Sequence, residues 1–271
     1  MRTRRVLVVL ALVLLLLAPN ALLYVAWSRS RSEAVCLDDE EEPLPFAVRA
    51  VAFLTECAAT FAAASLSLAG SFFAERVGDA EAAVRVVLIH GVGQSRGVML
   101  PLARRLAQRG MCVRYFRYTP LRHNLARSAE DLRRTLLDLQ KERSGPVFLL
   151  GFGAGGLVAR MCVVRHHLPG VRRLLTLGTA HQGSALFPTW PAHLAELRPG
   201  SPTLAQLAAA DRTPGPIEAT AVQSELDATI LPPENAYYPA AFNVTVRDVG
   251  HFTLLFSRRI FDLIDENLRS E

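Results

Sequence analysis

From residue 84 to the end, the chain alternates short apolar runs rich in β-branched residues with longer segments whose apolar residues recur every three or four positions. The short runs are typical of strands buried on both faces, and the longer segments of amphipathic helices. This alternation predicts an α/β fold, with a mostly parallel sheet and helices on both of its faces. In such sheets the functional groups lie beyond the carboxyl ends of the strands.

The same patterns predict the positions of the elements. Strands are predicted at Val84–Ile89, Met111–Phe116, Pro146–Leu150, Val171–Leu177, near Glu218–Ser224 and near Asn243–Arg247. Helices are predicted at Leu100–Gly110, Asn124–Glu142, about Gly155–His167 and Ser257–Leu268. With 51% hydrophobic and 20% charged residues, the composition excludes a disordered chain.

The amino-terminal end has a different character. Val6–Trp27 is a run of 22 residues without a charge, which at about 1.5 Å per residue can cross a hydrocarbon core of roughly 30 Å. Residues 1–32 are therefore predicted to form an N-terminal transmembrane anchor. Pro19-Asn20 interrupts the run, so a signal peptide with its apolar core at Val6–Ala18 is the alternative. The arginines before the run favour a single-pass topology with the rest of the chain exported.

Residues 33–81 are predicted to be an acidic linker followed by an apolar helix. Asp38–Glu42 is typical of a solvated linker. Pro45–Phe73 is apolar but contains Arg49 and Glu56, and a charged Glu in mid-bilayer costs several kcal/mol. An amphipathic helix on the domain or on lipid headgroups is therefore favoured over a second crossing. The net charge of +5 suits a nearby anionic membrane surface, and no basic segment with interleaved aromatics suggests nucleic acid.

The four cysteines do not predict a metal site. Cys112 falls in a predicted strand and Cys162 in a predicted helix, so both are expected to be free, buried thiols. The sequence has no C-x-x-C motif and no pair of histidines at helical metal spacing. We therefore expect neither a metal nor another cofactor, and no protein partner is indicated.

Motif residues follow three of the predicted strands. They are His90-Gly91-Val92-Gly93, then Gly151-Phe152-Gly153-Ala154-Gly155-Gly156, and finally Asp227 with His251. From about residue 82 to 271, the chain resembles the α/β-hydrolase superfamily, and within it the bacterial lipases and esterases. The resemblance defines residues 82–271 as the predicted hydrolase domain.

The resemblance implies a role for each of these residues. Val92 and Ala154 match the two positions whose backbone N–H groups form an oxyanion hole. His90, Gly91 and Phe152 fall beside them, and we expect these three residues to take part in binding an acyl or lipid-like ligand. Ala185–Pro216 stands where these enzymes place a lid.

The catalytic triad is matched at two of its three positions. Asp227 corresponds to the acid and His251 to the base, in the order that the family uses. Gly153 stands where the family has its nucleophilic Ser, and a glycine has no side chain with which to attack an ester carbonyl. A nucleophile elbow imposes positive φ, which glycine adopts without the strain of a residue with a Cβ. The sequence thus predicts a membrane-anchored, lipase-like pseudoenzyme that binds acyl or lipid-like ligands.

Two alternatives remain at this point. The chain could be an active ester hydrolase with a displaced nucleophile, for which Ser95 and Ser184 are the candidates, although capping or turn roles explain both. Gly151–Gly156 also fits the G-x-G-x-x-G dinucleotide fingerprint. That fingerprint needs an acidic residue at the end of the next strand, and Leu174–His181 contains none.

Overall fold

A seven-stranded sheet forms the centre of this computed structural model, which describes residues 18–29, 44–119, 123–166, 168, 170–211 and 217–269. The strand order is β1-β3-β2-β4-β5-β6-β7, with β1 antiparallel to β3 and every other neighbouring pair parallel. The strands are β1 (Arg76–Val77), β2 (Arg85–Ile89), β3 (Cys112–Tyr115), β4 (Val147–Phe152), β5 (Val171–Leu177), β6 (Glu218–Ser224) and β7 (Phe242–Val246).

Helices precede the sheet and alternate with its strands. A helix that we call α1 includes residues 18–29. The others are α2 (Phe46–Ala69), α3 (Leu100–Gln108), α4 (Leu125–Glu142), α5 (Ala154–Arg165), α6 (Ala192–Ala195), α7 (Pro202–Ala210) and α8 (Arg258–Arg269).

Each face of the sheet carries its own apolar core. Helices α3 and α8 pack on one face, where Leu106 and Ile264 are fully buried. Helices α4, α5 and α7 cover the other, with Leu132 and Leu157 among the buried side chains. Because both faces are covered, the central strands β2 and β4 are buried at every position.

The α/β class and the mostly parallel sheet predicted from the sequence are confirmed. Val171–Leu177 and Glu218–Ser224 have the predicted bounds, and β4 continues two residues beyond its predicted end, to Phe152. The pattern did not predict β1, since a two-residue strand is too short to have a period. Cys112 and Cys162 are free and buried, as expected.

The predicted N-terminal anchor lies largely outside the described residues. Residues 1–17 and 30–43 are not described, and residues 18–29 pack against α2. The Tyr24 and Phe53 rings are 5.8 Å apart, and Trp27 is buried in a cluster with Ala52 and Leu226. Within the described residues, α2 is the one helix long and apolar enough to cross a membrane.

Helix α2 lies along the α/β domain and contacts it at several levels. Ala63 belongs to the core beneath α3 and α8. Near the end of α2, the Ser95 hydroxyl donates a 2.7 Å hydrogen bond to the Ser67 carbonyl, and Arg96 Nε donates to the Gly70 carbonyl at 2.9 Å. A Cβ on Gly97 would stand 1.9 Å from the Leu66 carbonyl oxygen, so only a glycine allows this close approach.

Candidate functional site

A sharp turn between β4 and α5 places Gly153 at the carboxyl edge of the sheet. Its backbone has φ +54° and ψ −128°, a conformation that strains residues with a Cβ. The Gly153 N–H donates to the Leu177 carbonyl at 2.9 Å, and Thr179 Oγ1 donates to the Gly153 carbonyl at 2.9 Å. Strand β5 and the loop that follows it therefore bind both polar groups of the Gly153 backbone.

Adjacent strands bring Asp227 and His251 together. Asp227 follows β6 and His251 follows β7, and these strands are paired in parallel register. Asp227 Oδ2 accepts a 2.7 Å hydrogen bond from His251 Nδ1, and both side chains are buried. The Ser224 hydroxyl donates to the Val249 carbonyl and so ties the two loops. A proton on Nδ1 leaves Nε2 as the acceptor nitrogen.

Thr229 supports this pair. Its backbone N–H and its hydroxyl both donate to Asp227 Oδ1, at 2.9 and 2.6 Å. Thr229 Oγ1 also lies 3.0 Å from His251 Nδ1. The sequence motifs did not indicate Thr229, although a threonine two residues after an aspartate is a common turn pattern.

The acceptor nitrogen of His251 faces the turn at Gly153. A Cβ built on Gly153 would lie 3.6 Å from His251 Nε2 and 3.8 Å from the Gly91 Cα, both ordinary contact distances. A serine hydroxyl, one bond beyond that Cβ, could reach hydrogen-bonding distance of Nε2. The structure thus brings together Gly153, Asp227, His251 and the Gly91 turn, which the sequence places on separate strand ends.

The pKa of His251 is shifted by its surroundings. Burial lowers the pKa, but the charge and hydrogen bond of Asp227, helped by the Glu56 charge, outweigh burial and raise it above the usual 6.5. Burial lowers the pKa of His90, against the opposing effect of a hydrogen bond with the Gly91 carbonyl. His251 is therefore more readily protonated than His90.

The turn after β2 lies across from the start of α5. Ala154 is the first residue of α5, so no helical carbonyl precedes its N–H. Val92 and Ala154 line one cavity of about 10 Å³, together with Tyr118 and Leu197. That volume holds roughly one water molecule. The Gly91 N–H donates to Gln94 Oε1 at 3.2 Å, which fixes the turn.

His90 and Phe152 pack inside the domain beside the site. The His90 side chain is buried, its ring lies 4.8 Å from the Tyr118 ring, and the Tyr118 hydroxyl donates to the His90 carbonyl. Phe152 is fully buried, with its ring centroid 4.5 Å from that of His251. Their side chains therefore support the two turns from within.

Glu56 is a contributor to this region that the motif analysis did not assign. Its carboxylate accepts hydrogen bonds from the Phe252 N–H at 2.8 Å, the Thr253 N–H at 3.0 Å and the Thr253 hydroxyl at 2.8 Å. A Cβ on Gly250 would stand 2.4 Å from Glu56 Oε2. Helix α2 thus contacts the loop on both sides of His251. The sequence signal was a lone acid in an apolar helix.

The hydroxyls of Ser95 and Ser184 both serve structural hydrogen bonds. Ser95 caps a short helical turn by accepting from the Gly97 N–H at 3.2 Å and donates to Ser67. Ser184 is fully buried, donates to the Thr229 carbonyl at 2.9 Å and accepts from the Leu231 N–H at 3.1 Å. Neither faces His251 Nε2 in these contacts.

The glycines of the dinucleotide-like string are explained by packing. A Cβ on Gly155 would stand 2.3 Å from the Ile89 carbonyl oxygen, and one on Gly156 would stand 2.0 Å from Thr179 Oγ1. These residues let α5 approach β2 and β5 closely. Within the described residues, no group of three His, Cys, Asp or Glu side chains could hold a metal.

The segment predicted as a lid packs beside the site. Its short helices α6 and α7 lie within residues 185–211, with Leu204 and Leu207 buried in the core below α5. Arg160 donates to the His181 carbonyl at 2.7 Å and forms a buried ion pair with Asp211. Arg160 thus links Asp211, near the end of the segment, to His181, which precedes the segment.

No protein-family model and no curated protein matches this sequence. Solved structures do match in three dimensions. The mature lipase BlEst2 of Bacillus licheniformis has a TM-score of 0.60 and 18% identity, covering 70% of this chain and 94% of that one. A structure of the metagenome-derived lipolytic enzymes LipS and LipT has a TM-score of 0.56 and 16% identity, covering 73% of this chain and 98% of that one. The monoacylglycerol lipase of Paleococcus ferrophilus has a TM-score of 0.54 and 16% identity, covering 71% of this chain and 96% of that one.

Identities this low establish the fold and leave the activity open. The chain therefore has an α/β fold whose structural neighbours are lipases and esterases of the α/β-hydrolase type.

Proposed function

We propose that this protein is a membrane-anchored, lipase-like pseudoenzyme that binds an acyl or lipid-like ligand and lacks the serine nucleophile. In this proposal Asp227 and His251 are the remaining triad pair, and Gly153 occupies the nucleophile position. Val92 and Ala154 supply the two oxyanion-hole N–H groups. A membrane anchor within residues 1–32 holds the hydrolase domain on the exported side.

One observation carries the proposal. His251 Nε2 faces a residue without a side chain, 3.6 Å from the point where a Cβ would stand. An acyl-enzyme needs an oxygen, sulfur or nitrogen nucleophile at this point, and glycine offers none. The proton acceptor is therefore in position while the atom that would bond the carbonyl carbon is missing.

Ligand binding requires less than catalysis. Two N–H groups and a protonatable imidazole suit a carboxylate or an ester carbonyl oxygen. The raised pKa of His251 favours its cationic form, which would pair with an anionic headgroup. The cavity beside Val92 and Ala154 is small, so we expect Tyr118 and Leu197 to move when an acyl group enters.

The second candidate function is an ester hydrolase with a displaced nucleophile. The hydrogen bonds of Ser95 and Ser184 argue against it, because each hydroxyl already holds a turn. A fluorophosphonate probe separates the candidates, since it labels only a reactive serine. We expect no labelling of the native chain, and labelling at Ser95 or Ser184 would favour the hydrolase.

The decisive experiment restores the nucleophile with Gly153→Ser and measures hydrolysis of short nitrophenyl esters. The native chain should not exceed the background rate by an enzymatic margin. The variant should gain on the order of 10²-fold or more, because His251 can then act as general base toward the new hydroxyl. Native turnover near 1 per second, within the range of ordinary enzymes, would contradict the proposal.

Gly110→Ser is the matched control. Gly110 also has positive φ, +82°, and a Cβ there would meet nothing within 4 Å. It follows α3, away from the candidate site. This variant should remain inactive, and Gly153→Ser combined with His251→Gln should lose the gained activity.

A further inference from the structure

Helix α2 turns an uncharged apolar face outward along its whole length. Leu54 is 61% exposed, Phe61 55% and Leu68 85%, and these residues are spaced by seven so that they share one face. Phe72, just beyond the helix, is 87% exposed. None of the exposed residues of α2 is charged. A continuous apolar face of this kind marks a docking surface.

The inner face of α2 is fixed to the hydrolase fold, which sets the direction of the outer face. Ala52 and Ala63 are buried, and Glu56 accepts three hydrogen bonds from Phe252 and Thr253. These contacts run from one end of the helix to the other. Helix α2 therefore cannot stand upright in a bilayer unless the domain enters the bilayer with it.

The neighbouring helix α1 indicates what covers the outer face. Its residues 18–27 belong to the uncharged run Val6–Trp27 and pack antiparallel on α2, with Asn20 near Thr60 and Trp27 beside Ala52. Leu22 of α1 is also exposed, at 72%. Residues 6–17 complete the same uncharged run and join the chain at residue 18, next to α2, so a membrane that holds this run adjoins the outer face.

We infer that the outer face of α2, defined by Val51, Leu54, Phe61, Leu68 and Phe72, lies in the plane of a phospholipid bilayer and dips into its acyl region. The inference rests on the membrane anchor in the proposed function and adds the orientation of the domain. Glu56 lies on the opposite side of α2, so one helix, about 10 Å thick, separates the bilayer from the loop of His251. The loop of His251 would then lie one helix away from a source of lipid.

The test measures the depth of single fluorophores in the full chain, reconstituted in phosphatidylcholine–phosphatidylglycerol vesicles. Leu54→Cys, Phe61→Cys and Leu68→Cys are each labelled with an environment-sensitive dye in a Cys36→Ser background, since the described cysteines are buried. Lys141→Cys is the matched control, because Lys141 is an exposed residue of α4 on the other face of the sheet. Doxyl groups placed shallow or deep on the lipid chains quench the dyes.

We expect all three α2 labels to be quenched by shallow doxyl to a similar extent, and the Lys141 label to stay unquenched. A crossing helix would instead bury the labels at 54 and 61 more deeply than that at 68, which would overturn the inference. Labels on α2 that are no more quenched than the Lys141 label would also overturn the inference. In that case residues 6–17 or a second copy of the chain cover the face. Vesicle flotation keeps the two proposals apart. If the chain does not float with the vesicles, both the proposed anchor and the inferred orientation are contradicted. If it floats but its labels are unquenched, only the inferred orientation is contradicted.

Discussion

At the scale of single residues, the site depends on what a glycine permits. Gly153 has φ +54° and ψ −128°, a region in which side chains with a Cβ are rare. The space around it is open enough for a Cβ, since the nearest atom, His251 Nε2, would be 3.6 Å away. The obstacle to a side chain here is therefore the backbone conformation and not a clash.

Gly153→Ala should consequently lower the free energy of unfolding by about 1 to 3 kcal/mol. Gly110→Ala, whose Cβ would be in open space at φ +82°, should lose a similar amount if backbone strain is the cause. Urea denaturation followed by circular dichroism measures both. A loss at position 153 far above that at position 110 would instead point to contacts with His251. An unchanged stability at position 153 would contradict the strain argument.

At the scale of elements, the order of strands assembles the pair and α2 holds it. Neighbouring β6 and β7 bring Asp227 and His251 within 2.7 Å, although 24 residues separate them in sequence. Glu56 then fixes the loop after His251 from a helix at the other end of the chain. The position of the imidazole therefore depends on an element outside the predicted hydrolase domain.

Glu56→Ala should destabilise the protein by about 2 to 4 kcal/mol, because partly buried N–H groups of Phe252 and Thr253 lose their acceptor. Glu56→Gln keeps one carbonyl oxygen and should lose less. Glu266→Ala, an exposed glutamate on α8, is the control and should change stability by no more than about 0.5 kcal/mol.

Glu56→Ala should also lower the ester hydrolysis that we expect of Gly153→Ser. Gly153→Ser with Glu56→Ala should show a lower kcat than Gly153→Ser alone, because the imidazole is less well held. Ester hydrolysis measured under conditions where both variants are folded tests this. Equal kcat values would mean that Glu56 stabilises the fold without positioning His251.

At the scale of the whole molecule, the buried pair links stability to pH. The pKa of His251 is raised above 6.5, chiefly because the Asp227 charge outweighs burial. A raised folded-state pKa gives stability that is fully present below the unfolded value and is lost as pH rises through the folded value. The pair therefore stabilises the fold most in mildly acidic solution.

Asp227→Asn removes that contribution. The difference in free energy of unfolding between the native chain and this variant should be larger near about pH 6 than near about pH 9. Taking the difference cancels most of the opposing effect of His90, whose pKa burial lowers. Urea midpoints at the two pH values provide the measurement, and an equal difference at both would contradict the linkage.

Much of the fold could be predicted because its signals are local. A strand buried on both faces needs an apolar run, and an amphipathic helix needs a period of 3.6, so β5 and β6 were placed with their observed bounds. The turn at Gly153 could also be predicted, because the glycine stands between a predicted strand and a predicted helix. These features depend on residues that are close in sequence, and tertiary contacts did not override them.

The remaining features were decided by contacts between distant parts of the chain. Glu56 binds backbone groups nearly 200 residues away, and Trp27 is buried against Leu226, so no local pattern could indicate either partner. The sequence by itself determined the alternation of strands and helices and the glycine at position 153. Only the tertiary structure decided that α2 lies along the domain with its apolar face outward, because a helix chooses which face to bury from the surfaces that meet it.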